Sequence, residues 1–301
     1  MTTNALPTTI PEYLEQLRGA LRGADPAMIQ DALYDAEEYL RSELAEQQGK
    51  SEAEVIASVA GSYGAPDEVA EIYRDTEVTV NRALRAPPVR KQTSVAGRFF
   101  GVIVDPRTYG ALFYMLLSLA TGIVYFTVVT TGLSLSLGML ILIIGIPLLV
   151  LFLGLIRVLS LVEGRIVEVL LGERMPRRPL YTQRGKGWLQ RIGDMITDGR
   201  TWTAMLYFVL MLPLGIAYFT VAVTGLSVAI SLILSPLSLL HSQVFGFWYD
   251  GENLLETARW LVVLTPFVGV ILLFATLHLA RAVGRVHGTL AKHLLVRNAV
   301  V

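Results

Sequence analysis

The chain has 301 residues, of which 53% are hydrophobic and only 17% charged, against roughly 25% charged in soluble domains. With a mean hydropathy of +0.54, this composition excludes an ordinary soluble enzyme and points to an integral membrane protein. The net charge of zero is a cancellation, since residues 1–80 carry 16 acidic and 5 basic side chains and the remainder 9 and 20, and two parts in different settings are expected.

There is no cysteine, so disulfides and thiolate metal sites are excluded. The N-terminus is polar and acidic and lacks the basic and apolar regions of a secretory signal peptide.

Residues 1–86 read as a small acidic helical domain with four helix starts. Thr9-x-x-Glu12 forms a capping box with Pro11 in the first turn, and Tyr13, Leu14, Leu17 and Leu21 share one face. Asp25 before Pro26 is an N-cap with proline at the first helical position. That helix is expected to run to about Gln48 and close at Gly49, with Met28, Ile29, Leu33, Leu40 and Leu44 inward. Ser51-x-x-Glu54 is a second capping box, and Pro66-Asp67-Glu68 opens a fourth helix carrying Val69, Ile72 and Tyr73. The acidic helix faces are read first as solvated. The alternative is that Asp31, Asp35, Glu38 and Glu46 dock on a basic partner, or on this chain's own basic loop at Arg174, Arg177 and Arg178. Direct nucleic-acid binding is excluded by the acidity.

The order Tyr13-Leu-x-x-Leu17, Asp35-Ala-Glu-Glu38, Ser51-Glu-Ala-Glu-Val-Ile56 and Tyr63-Gly-Ala-Pro-Asp-Glu-Val-Ala70 resembles the HAAS signalling domain of bacterial membrane proteins. The family has a Gly-x-Pro-Glu-like start to its last helix, where this chain reads Gly64-Ala-Pro-Asp67. The resemblance implies a cytoplasmic interaction module rather than a catalyst.

Residues 87–107 read as an extended linker and an interfacial elbow. Arg90, Lys91 and Arg98 are placed near anionic lipid heads, and residues 94–104 lie in the interface. A matching elbow is expected over residues 188–197, with Arg191 the counterpart of Arg98.

From residue 108 to 301 the chain reads as a membrane domain built on a stretch that occurs twice. Asp105-Pro-Arg107-Thr-Tyr, Gly122-Ile-Val-Tyr125-Phe-Thr127 and Thr131-Gly132-Leu-Ser134 recur as Asp198-Gly-Arg200-Thr-Trp, Gly215-Ile-Ala-Tyr218-Phe-Thr220 and Thr224-Gly225-Leu-Ser227, always 93 residues apart. This register indicates an internal duplication of a transmembrane hairpin. No Asp, Glu, Lys or Arg occurs between Arg107 and Arg157, enough for two helical spans of about 20 residues each. The spans are expected at about 110–130 and 133–156, turning at residues 130–134, with Pro147 kinking the second. Residues 157–200 form a basic loop, which the positive-inside rule places in the cytoplasm together with both termini. The motif Met175-Pro-Arg-Arg-Pro179 in it reads first as a topology signal in contact with lipid, and otherwise as a docking site.

The later spans are expected at about 202–224 and 260–280. Arg157 and Glu163-Gly164 align with Arg281 and His287-Gly288 at an offset of 124, so the second copy carries about 31 extra residues. These form an aromatic and acidic external insertion at about 232–259, with residues 226–240 as a partial or re-entrant segment and a fifth span as the alternative. The fold class is therefore all-α, a soluble helical domain plus a four-span membrane domain.

This repeated half, with its Arg-Thr-Tyr/Trp start, Gly-Ile-x-Tyr-Phe-Thr core and Thr-Gly-Leu-Ser motif, resembles the sensor domain of bacterial signalling proteins over residues 98–297. Such domains precede histidine kinases or follow a HAAS domain. No kinase core follows here, so output is expected through a partner.

No P-loop, GxGxxG or HExxH motif occurs, and His241, His278, His287 and His293 lack metal-ligand spacing. No catalytic residue, cofactor or metal is expected, and an enzyme is disfavoured. The repeated Gly122, Tyr125, Thr127, Gly132 and Gly215, Tyr218, Thr220, Gly225 are read as helix-packing contacts or as the lining of a shared pocket. The leading functional expectation is an inner-membrane signalling adaptor. It would couple an envelope or lipid cue, sensed through the external loop, to a cytoplasmic partner. The alternative is an accessory or scaffolding subunit of a transporter or other membrane complex. Expected partners are membrane lipid and a cytoplasmic or membrane protein, with self-association left open.

Overall fold

The computed structural model describes residues 7–47, 49–84, 95–142, 144–178, 193, 195–240, 247–258 and 260–296. The chain falls into two compact units. One comprises Met1–Arg85, Thr130–Tyr207 and Thr289–Val301, and the other Ala86–Val129 and Phe208–Gly288.

The first four helices arise where the capping chemistry places them. Helix α1 (Ile10–Ala20) starts at Thr9, whose side chain accepts the Glu12 amide, and α2 (Pro26–Glu46) starts at Asp25, which accepts the Ala27 amide. The full capping box of Ser51 and Glu54 opens α3 (Glu52–Ser62), and α4 runs Pro66–Leu84. Tyr13, Leu17, Leu21, Met28, Leu40, Ile56 and Val59 form one closed apolar core, each at most 1% exposed. Tyr13 spends its hydroxyl on the Gly64 carbonyl at 2.8 Å, which ties α1 to the turn before α4. Burial and the nearby acidic and tyrosine groups push that phenol well above the ordinary tyrosine range.

The elbow is a short helix, α5 (Val95–Phe100), continued by a 3-10 turn over Gly101–Ile103. Residues 87–94, with Arg90 and Lys91, lie outside the described residues, as does most of the counterpart at 188–197, including Arg191.

Among the described residues, four helices are long and apolar enough to cross a membrane. They are α6 (Pro106–Gly138), α7 (Gly145–Leu171), α8 (Gly199–Leu234) and α10 (Trp260–Leu295), of 33, 27, 36 and 36 residues. At about 1.5 Å per residue each exceeds the roughly 30 Å hydrocarbon layer. Side chains such as Phe113, Ile123, Leu151, Phe267 and Ile271 are at least half exposed, the face a lipid-bathed helix requires.

The spans differ from the sequence expectation in where they end. Residues 130–134 do not turn, because α6 runs through them to Gly138, followed by a 3-10 turn over Met139–Leu142, and α7 opens at Gly145. A Thr-Gly-Leu-Ser stretch breaks a helix only if its freed amides find water, and an apolar setting offers none. Pro147 causes no kink, since it lies in the first turn of α7 where no intrahelical N–H is required. Helix α7 continues past residue 156 to Leu171, so the first third of the expected basic loop is helical. Residues 226–240, expected as a partial or re-entrant segment, are not a separate element. They continue α8 to Leu234 and then a 3-10 turn, Ser235–Leu239, where Pro236 ends the α-helical ladder.

The insertion carries a two-residue hairpin, β1 (Trp248–Tyr249) against β2 (Glu252–Asn253), antiparallel. Asp250 and Gly251 both take positive φ at its tip, as a primed turn demands. A one-turn helix, α9 (Leu254–Thr257), follows, capped by Asn253. Trp248, Tyr249 and Trp260 are all more than half exposed. Phe245 and His241 lie outside the described residues.

Candidate functional site

The turn after α7 is made by local chemistry. Gly172 adopts the left-handed conformation at φ 74° and caps the helix, which throws residues 173–178 back along it. Met175 is buried against Gly164, where an added Cβ would meet it at 3.4 Å. This fixes the backbone from which Arg174, Arg177 and Arg178 project.

Asp31 of α2 fills that turn. Its Oδ1 accepts the Arg177 amide at 2.7 Å and the Arg178 amide at 2.9 Å, while Oδ2 faces the Arg174 guanidinium at 3.4 Å. Two consecutive backbone donors and one cation converge on one carboxylate that is only 6% exposed. Gln30 completes the clamp, donating to the Arg178 carbonyl at 2.6 Å and accepting from Arg200 at 2.7 Å. Arg178 pairs with Asp35 at 3.0 Å and lies over the Tyr34 ring at 5.5 Å. Arg174 stands among three carboxylates, with Glu168 and Glu77 at 3.5 and 3.6 Å besides Asp31. Lys292, near the end of α10, pairs with the cap residue Asp25.

Burial raises the Asp31 pKa above the usual aspartate range, and the amides and Arg174 only partly offset it. The folded value exceeds the unfolded one, so the folded state holds the proton more tightly and stability declines as pH rises through that window. A carboxyl-carbon NMR titration should find Asp31 protonating above the usual aspartate range.

Of the docking residues expected from the sequence, Asp31, Asp35, Arg174, Arg177 and Arg178 thus meet. Glu38 does not join them. It is exposed about two turns further along α2, and Gln30, Glu77 and Glu168 take part instead. Glu46 is also exposed. The rest of the basic loop, with Pro179, Arg184 and Lys186, lies outside the described residues.

The repeated positions make matching contacts. Asp105 and Asp198 each accept the amide two residues on, from Arg107 and Arg200, at 3.0 and 3.2 Å, as helix caps. Asp105 then pairs with Arg281 at 2.9 Å and Asp198 with Arg157 at 3.7 Å, so each aspartate at the start of one long helix takes an arginine from another. Tyr114 and Tyr207 follow the same pattern. Tyr114 meets His287 at 2.6 Å, and Tyr207 donates to Glu163 at 2.7 Å, all four fully buried. Tyr218 reaches the other nitrogen of His287 at 3.3 Å. Tyr114 and Tyr207 were not singled out from the sequence, although their spacing of 93 and the aligned Glu163 and His287 marked them. Thr108 and Thr201, also 93 apart, are both buried, and a cavity of about 30 Å3, the size of one water, adjoins Thr201.

The glycines are contact points between helices. A Cβ at Gly122 would lie 2.5 Å from the Met211 carbonyl oxygen, and one at Gly215 would lie 2.3 Å from that of Ser118. Met211 is itself the 93-residue counterpart of Ser118, so the contact is reciprocal. Gly132 admits the Phe152 ring and Gly225 the Thr276 side chain in the same way. Tyr125 is buried beside Phe208, with ring centroids 4.7 Å apart. Thr127 and Thr220 are exposed.

Asp105→Ala and Asp198→Ala each remove a cap and an ion pair. Each should cost about 1–2 kcal/mol, read as a lower unfolding midpoint in detergent.

Four long apolar helices with buried polar exchanges between them define a multi-pass helical membrane protein. The chain belongs to the family described as "Putative sensor", whose sequence profile matches residues 114–295. No curated protein and no solved structure matches it significantly.

Proposed function

We propose that the protein is a signalling adaptor of the bacterial inner membrane, with both termini cytoplasmic. The two hairpins, read as an internal duplication, respond to an envelope or lipid cue. The acidic N-terminal domain, which resembles the HAAS domain, passes their state to a cytoplasmic regulator. The reading contains no catalytic step and no cofactor.

The observation that carries it is the seating of Asp31 on the amides of Arg177 and Arg178. The turn holding those amides is the direct continuation of a membrane helix, α7. A shift at the end of α7 is therefore felt at α2 without an intervening flexible segment, which is the coupling a sensor needs. The bias of basic residues to the region after α7 supports the cytoplasmic placement.

The test is a crosslinked membrane pull-down read by mass spectrometry. It compares the full chain, a version lacking residues 1–86, and Leu40→Asp, which puts a charge at a core position only 1% exposed. A soluble regulator captured by the full chain and lost from both variants is the expected result. A membrane protein retained by all three would instead make the chain a subunit held through its spans, and the adaptor reading would fall.

A further inference from the structure

Helix α4 carries a cleft that the contacts of Asp31 leave unused. Tyr63, Val69, Ile72, Tyr73 and Thr76 enclose about 360 Å3, within the range of clefts that hold ligands or peptide anchors. Ile72 is 60% exposed, whereas Val69, one turn before it, is 2% exposed. An isoleucine of that exposure beside an open apolar cleft is unusual in a domain whose other large apolar side chains are mostly packed away. The wall is rigid. Tyr63 stacks on Tyr39 with centroids 4.5 Å apart, and Tyr73 is held by its hydroxyl on Asp35 at 2.9 Å.

The rim is acidic. Glu68 and Asp75 lie one helical turn to either side of Ile72, with Glu71 next to it, and all three are exposed. The one base in this part of the helix, Arg74, turns away to the Ala20 carbonyl. An apolar floor inside an acidic rim disfavours anionic lipid and nucleic acid, and it matches a helix with apolar residues on one face and lysine or arginine beside them. We infer that this cleft is the docking site for a basic amphipathic helix of a soluble protein partner. The inference rests on the N-terminal domain being the output module, and it adds the chemistry of what that module binds.

The test uses the full chain in nanodiscs of zwitterionic lipid and a fluorescent synthetic helix of leucine and lysine, with a leucine and glutamate helix as its counterpart. Anisotropy should rise with the lysine helix and not with the glutamate one, above an empty-nanodisc control. Ile72→Glu should weaken binding at least tenfold, although it adds a negative charge. Attraction by charge alone would instead strengthen, and that result overturns the proposal. Glu68→Lys combined with Asp75→Lys should weaken binding similarly and flatten its salt dependence. Thermal melting shows that each variant is folded, since all three positions are at the surface. Equal binding by Ile72→Glu overturns the cleft as the site. So does a change in oligomeric state on Ile72→Glu, which would make a second copy of the chain the occupant. If the adaptor reading fails, it fails in the pull-down, and this titration can still succeed.

Discussion

Asp31→Ala should free the turn at residues 174–178 from helix α2 while leaving the four-helix core intact. The substitution removes the acceptor of two backbone amides and one of three carboxylates around Arg174. Deleting one partner of a buried charge cluster costs about 3–5 kcal/mol, because the groups left behind remain desolvated. Even the lower figure raises the opened population roughly 100-fold. Hydrogen exchange should show this at the amides of Arg177 and Arg178, with slower-exchanging core amides such as that of Leu17 unchanged. Glu38→Ala, at an exposed site on the same helix, is the control and should change neither. Protection of the two amides that survives Asp31→Ala would mean that the turn is held by its own packing, with Asp31 incidental. The contact is buried, so raised salt should not reproduce the effect of the mutation.

Gly122→Ala and Gly215→Ala should be the most damaging small substitutions in the spans. At each, the new Cβ would lie within about 2.5 Å of a backbone carbonyl oxygen, which cannot rotate aside as a side chain can. The helices must separate, and overpacking of this kind costs typically 1–3 kcal/mol and sometimes more. Both substitutions together act on one reciprocal contact, so their effects should not add. Gly132→Ala meets the Phe152 ring, which can shift, and should cost less. Gly154→Ala meets nothing within 4 Å and should be neutral or slightly stabilising, as alanine favours the helix by up to about 1 kcal/mol. Unfolding midpoints in detergent for the four variants give the order directly. A Gly122→Ala protein as stable as Gly154→Ala would show that the helices are not in close contact there.

The acidic domain was legible in the sequence almost residue by residue, because its signals are local. Thr9, Asp25 and Ser51 cap helices through atoms two or three residues away, and apolar spacing alone marks Tyr13, Leu17 and Leu40 as core. The spans were legible as to existence but not as to their ends. Thr-Gly-Leu-Ser is a turn signal in water, where freed amides are solvated, and a packing notch where they are not. The glycine, tyrosine and aspartate pairs were visible as repeats. Their partners were not, since the identity of a partner 173 or 176 residues away leaves no local mark.

The sequence by itself determined that the chain is helical, that residues 1–80 carry most of the acidic charge, and that the rest is apolar enough for four spans with a motif that occurs twice, 93 residues apart. These properties depend on composition, spacing and capping, all short-range. Only the tertiary structure decided that Asp31 rather than Glu38 meets the basic turn. Both are acidic residues of α2 on nearly the same side, but seven residues set them about two turns and roughly 10 Å apart along the helix, and only the stretch at Asp31 is covered. Charge complementarity named the two surfaces. Burial, and the two amides that Gly172 turns toward α2, chose the carboxylate.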